Sequence, residues 1–277
     1  EPAMLEDYYA TCEERIVSLM AMECPDSLQA QHKAVEMYDR VGKPFTVYPG
    51  MNSTVMDYQN IMGFLVLLCC VVMAAPVFSA DYQSGADDIL RCTRHGRMRL
   101  GAARVGAVLL ISGTGFGICA MAYILAADSL FGWDCLGTSI QMRYSIVTLA
   151  DITIGELQWI FAAAGLLSVL ASVSFTLFLS ARCKSMVMSL AAALGFCMAP
   201  VVVCMAIPGA AGAWICSILP ASCTSIQASF LYALTDFVFL QVGEWAVWTP
   251  VAMVGACILE IPLFSFLAVR SYARGKV

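Results

Sequence analysis

Five runs of about twenty residues each carry no Lys or Arg, and they constrain this chain more than any other feature. They fall at Asn60–Ser79, Val105–Ala126, Leu157–Ala181, Met186–Ile207 and Thr249–Val269, and the only acid among them is Glu260. A helix needs about 20 mostly apolar residues to cross a hydrocarbon core of about 30 Å. Composition agrees: 60% of the 277 residues are hydrophobic and 13% charged, against about 45–50% and about 25% in soluble domains. The mean hydropathy is +0.79. The expected fold class is an all-α integral membrane protein with five transmembrane helices. The runs are rich in small residues, as in GTGFG at 113–117 and AAAGLLSVLASVS at 162–174, which let helix backbones approach closely in lipid.

A sixth apolar stretch, 209–248, is interrupted by Pro220, Asp236 and Glu244. It is too long for one span and too broken for two. A re-entrant outer helical hairpin fits it, since such backbone is tolerated where protein surrounds it.

Charge sets the expected orientation. The loop at 80–104, the link near 182–185 and the tail hold ten of the fifteen basic residues. Segments 1–59, 127–156 and 209–248 hold sixteen of the twenty acids. Basic loops stay cytoplasmic, so the C-terminus is expected inside a plasma membrane and residues 1–57 outside. Five spans then require either a removed signal sequence or a further span upstream of Glu1. The expected division is an extracytoplasmic helical cap over 1–57 and a transmembrane domain over 58–277. Tyr8, Ile16, Leu19 and Met20, then Ala34, Met37 and Tyr38, recur at helical spacing in the cap. The net charge of −5 excludes a nucleic-acid binder that relies on a broad basic face.

Most of the thirteen cysteines lie inside spans, where Cys behaves as a small hydrophobe. Cys12 with Cys24, and Cys216 with Cys223, are candidate disulfides if the outside is oxidising. No CxxC and no Cys/His ligand spacing is present, so no metal site is expected. Glu260, mid-span beside Pro262, is a functional candidate because an intramembrane acid is costly; its bland reading is a carboxyl hydrogen-bonded to a neighbouring helix. No catalytic constellation and no GxxxxGK[ST] loop occurs, so a non-catalytic subunit is expected.

The most informative loop runs Phe78-Ser79-Ala80-Asp81-Tyr82-Gln83-Ser84-Gly85-Ala86-Asp87-Asp88-Ile89-Leu90-Arg91-Cys92-Thr93-Arg94-His95-Gly96-Arg97. Its bland reading is a solvated loop obeying the positive-inside rule. Its acid, small-plus-Gly step, Ile-Leu-Arg-x-Thr run and Gly-Arg elbow resemble the coupling-helix loop of type-2 ATP-binding-cassette permeases. Ser217-Ile218-Leu219-Pro220-Ala221-Ser222, the broken hairpin, one last span and a basic tail resemble that family's closing region. The likeness covers about residues 58–277, and the long segment before it resembles members with an extended loop after span one.

The resemblance implies six spans in the full chain and a coupling helix within 80–95. Asp81, Gly85, Asp87, Asp88, Ile89, Leu90 and Arg91 would couple to the ATPase. It further implies a second permease subunit and separate cytoplasmic ATPase subunits that carry the ATP and Mg, with no cofactor in this chain. The expected cargo is amphipathic: a peptide, drug or lipid. Ser112, Thr114 and Ser172 are pathway candidates. Two other readings stay open: a secondary transporter or channel using Glu260, and a membrane sensor or scaffold with a ligand-binding cap.

Overall fold

The computed structural model describes residues 2–23, 27–85, 96–207, 209–227, 229–236, 238–242 and 245–274. It is 78% helical. Among the described residues, four helices are long and apolar enough to cross a membrane, or five if one bent pair counts as a single span.

The cap is built from α1 (Pro2–Glu23) and α2 (Leu28–Asp39). Ser27 caps α2 by accepting from the Ala30 N–H at 3.3 Å. Side chains four apart share a helix face, and here Cys12, Ile16 and Met20 of α1 face Ala30, Ala34 and Tyr38 of α2. This small core continues into Val147, Leu149, Phe239 and Ala246, so the cap rests on the loops at one end of the bundle. Lys33 Nζ donates to the Ala246 carbonyl at 2.9 Å, and the Gly42 N–H donates to Asp151 Oδ1 at 3.1 Å.

The first long helix is α3 (Ser53–Ala74), continued by α4 (Pro76–Ser84). It begins at Ser53, inside the segment assigned to the cap. Together they span 32 residues, about 48 Å at 1.5 Å per residue, longer than a hydrocarbon core of about 30 Å. Next come α5 (Gly96–Phe131) and α6 (Ile154–Ser180). A capping box starts α6: the Glu156 N–H donates to Thr153 Oγ1, and the Thr153 N–H donates to Glu156 Oε2. The central element is α6, which packs against α3, α5 and the last helix, α11 (Thr249–Arg274).

The expected fourth span is broken. It consists of α7 (Met186–Cys197) and α8 (Ala199–Ala206), bent by 47°. Pro200 explains the break: it lacks an N–H, and its ring clashes with the preceding turn. Among its described residues the expected helical hairpin is α-helical over α9 (Ala210–Ile218) and α10 (Phe230–Thr235), with a 3-10 turn at Ser222–Thr224 between them. It ends as an antiparallel β-hairpin of β1 (Phe239–Val242) and β2 (Trp245–Trp248), with Phe239 opposite Trp248. Phe, Val and Trp suit a pleated, half-buried surface better than a helix.

Candidate functional site

The end of the bundle opposite the cap carries a dense knot of polar contacts around α4. Pro76 interrupts the ladder between α3 and α4, and the first N–H groups of a helix have no partner within it. Those of Phe78 and Ser79 donate to Ser180 Oγ, at 3.0 and 3.1 Å. Ser180 in turn donates to the Ala75 carbonyl at 2.6 Å, which also accepts from Ser79 Oγ and Ser189 Oγ. One turn further, Asp81 pairs with Arg104 of α5 and accepts from the Tyr272 hydroxyl of α11 at 3.2 Å. Arg104 lies 5.9 Å from the centre of the Tyr272 ring and also donates to the Val77 carbonyl. Gln83 Oε1 accepts from the Met186 N–H at the start of α7. Thus α4 is bonded to α5, α6, α7 and α11 within nine residues.

This geometry divides the expected coupling set. Asp81 is 16% exposed and turned into the bundle, where Arg104 and Tyr272 hold it. Gly85 ends α4 with a left-handed φ of +73°, a conformation only glycine adopts without strain. Asp87, Asp88, Ile89, Leu90 and Arg91 lie outside the described residues, as does Cys24. Sequence reasoning missed Arg104, Tyr272, Ser180 and Ser189. Arg104 stood in a basic run already explained by orientation, and isolated serines in apolar helices carry no signal of their own.

The pathway candidates do not share one surface. Ser112 is buried on α5, and Ser172 is buried on α6 with its hydroxyl unpartnered among the described residues. Thr114 is exposed and donates back to the Leu110 and Ile111 carbonyls of its own helix, the usual resort of a hydroxyl facing lipid.

Glu260 does face inward. It belongs to the stripe Met253, Cys257, Glu260, Ala268 and Tyr272, the buried face of α11. Polar contacts line the same seam between α6 and α11. Ser174 and Ser265 meet at 3.2 Å, and Ser168 donates to the Pro220 carbonyl at 2.7 Å. Glu260 Oε2 is buried without a hydrogen-bond partner among the described residues.

The disulfide expected between Cys216 and Cys223 is absent. Cys216 Sγ lies 3.0 Å from Cys204 Sγ, while Cys223 turns toward Cys257 at 3.9 Å. The turn at 219–225 separates the two, sending one thiol toward α8 and the other toward α11. Cys12 is a free, buried thiol in the cap core.

At the cap end, Met37, Leu149, Ile152, Phe230, Trp248 and Val254 line an apolar cleft of about 510 Å³. Arg40 and Asp151 supply its charged groups. Nearby, the Tyr232 hydroxyl donates to Asp57 Oδ1 at 3.3 Å. Burial, with Asp57 adding repulsion, pushes the phenol of Tyr144 above its ordinary range. Such a cleft can take an apolar group with a polar end. Among the described residues, no group of three or more His, Cys, Asp or Glu is placed to hold a metal ion.

No protein-family model, curated protein or solved structure matches this chain.

Proposed function

We propose that this chain is the membrane-spanning permease subunit of an ATP-driven exporter of the ATP-binding-cassette type, acting on an amphipathic substrate. ATP and Mg belong to separate cytoplasmic ATPase subunits, and a second permease subunit completes the pathway. The single observation that carries the reading is the anchoring of α4 to α5, α6, α7 and α11. A loop that merely joins two spans needs no such bonding. A lever does, because force applied beyond Gly85 reaches the other span helices only if α4 cannot slide against them. Coupled rearrangements of this kind run through packed elements that move as units. In this reading the α4 end is cytoplasmic, the cap is extracytoplasmic, and residues 209–248 form a re-entrant outer segment. The apolar cleft beneath the cap supports an amphipathic cargo.

The test is purification of the tagged chain from its native membrane in mild detergent. A cassette ATPase at a fixed stoichiometry, with Mg-dependent ATP hydrolysis in the eluate, is the expected result. A chain that purifies without any ATPase, and hydrolyses none when mixed with the soluble fraction, would overturn the proposal.

A further inference from the structure

Beside the α4 anchor, at the same end of the bundle, lies a second cavity of a different character. It has a volume of about 450 Å³, and Arg182, Lys184, Arg270 and Arg274 all line it. Two of these follow the end of α6 and two close α11, and Tyr82 of α4 also lines the cavity, so three chain segments converge on one space. Helix C-termini favour cations by a few tenths of a kcal/mol to about 1 kcal/mol each. That effect accounts for basic residues near each helix end, but not for four around one cavity. Among the described residues none of the four has a carboxylate within ion-pair distance. The one described acid at this end, Asp81, is already held by Arg104.

The guanidinium groups are also held in place. Arg182 Nε donates to Ser271 Oγ at 3.4 Å and its guanidinium lies 5.3 Å from the centre of the Phe178 ring. Arg270 lies 6.0 Å from the centre of the Phe266 ring. Stacking on aromatic faces fixes a guanidinium at small entropic cost, and its planar fork matches the oxygens of a phosphate.

We propose that this cavity binds a phosphate group. Its apolar lining by Leu267 and Ala181, with Arg182 and Arg270 set against Phe178 and Phe266, fits the headgroup of an anionic lipid, the chemistry that basic pockets between membrane helices take. A free phosphate presents the same group. The inference rests on the membrane reading of the helices and is independent of the proposed transport.

The experiment is native mass spectrometry of the detergent-purified protein with added phosphatidylglycerol or phosphatidylcholine, each with and without millimolar inorganic phosphate. Retention of phosphatidylglycerol over phosphatidylcholine is expected. Arg182→Gln with Arg270→Gln should reduce that retention by about tenfold or more, while Arg182→Lys with Arg270→Lys should keep most of it. If inorganic phosphate binds and displaces the lipid in the parent protein but not in the Gln variant, the site stands and its occupant is soluble phosphate. Should the Gln pair not elute as a single species, Lys184→Gln with Arg274→Gln gives the same reading. Retention that is indifferent to headgroup, or equal in the parent and either Gln variant, overturns the proposal.

Discussion

On the buried face of α11, Glu260 Oε2 is buried with no hydrogen-bond partner among the described residues. Its neighbours along the stripe, Cys257 and Ala268, are fully buried. An unpaired buried acceptor costs about 1–3 kcal/mol, and an apolar group of similar volume removes that cost. Glu260→Met is therefore predicted to stabilise the protein by about 1 kcal/mol, seen as a higher melting temperature in detergent. A lower melting temperature would mean that the carboxyl is satisfied in the membrane. The acid itself was visible as the single charge in five apolar runs. The phase of its helix was not, because α11 is exposed on much of its surface and its sequence is apolar all round. The thiol partners were hidden for a related reason. Spacing placed Cys216 and Cys223 together, but a turn of seven residues decides which way each points.

Element boundaries show how much a sequence pattern resolves. All four long helices were legible because an apolar run of that length has few alternatives. The break between α7 and α8 also had its cause in plain view, in Pro200, yet hydropathy alone runs straight through it. The β-hairpin was harder, since short apolar runs do not distinguish strand from helix by period. Close packing of α3, α5 and α6 depends on glycine. Phe116 lies between Gly63 and Gly165, and a Cβ on Gly165 would come within 2.8 Å of its ring. Gly165→Val is predicted to destabilise by about 1–3 kcal/mol through overpacking. Phe116→Leu in the same chain should recover most of that loss. Thermal melting of the single and double variants in detergent measures both, and additive losses would show that the two residues do not share this contact.

At the scale of the whole molecule, the charge asymmetry and the anchored α4 make one account. Segments 80–104, 182–185 and the tail hold ten of the fifteen basic residues, and segments 1–59, 127–156 and 209–248 hold sixteen of the twenty acids. In a background lacking native cysteines, Ser84→Cys and Lys184→Cys should react with an impermeant maleimide only after the membrane is opened. His32→Cys and Asp134→Cys should react in intact cells. The reverse pattern would remove the basis for a cytoplasmic lever. The long apolar runs were readable from sequence, whereas the bonds that hold α4 are distributed over five helices and no local pattern announces them. In the proposed mechanism force enters at the segment beyond Gly85. Ile89→Asp with Leu90→Asp places charge in that segment without touching any span. The most direct measurement is the amount of ATPase that copurifies with this variant when its level in the membrane matches the parent's. Normal insertion and loss of nearly all the ATPase are expected; a variant that keeps a stoichiometric ATPase would contradict coupling through this segment.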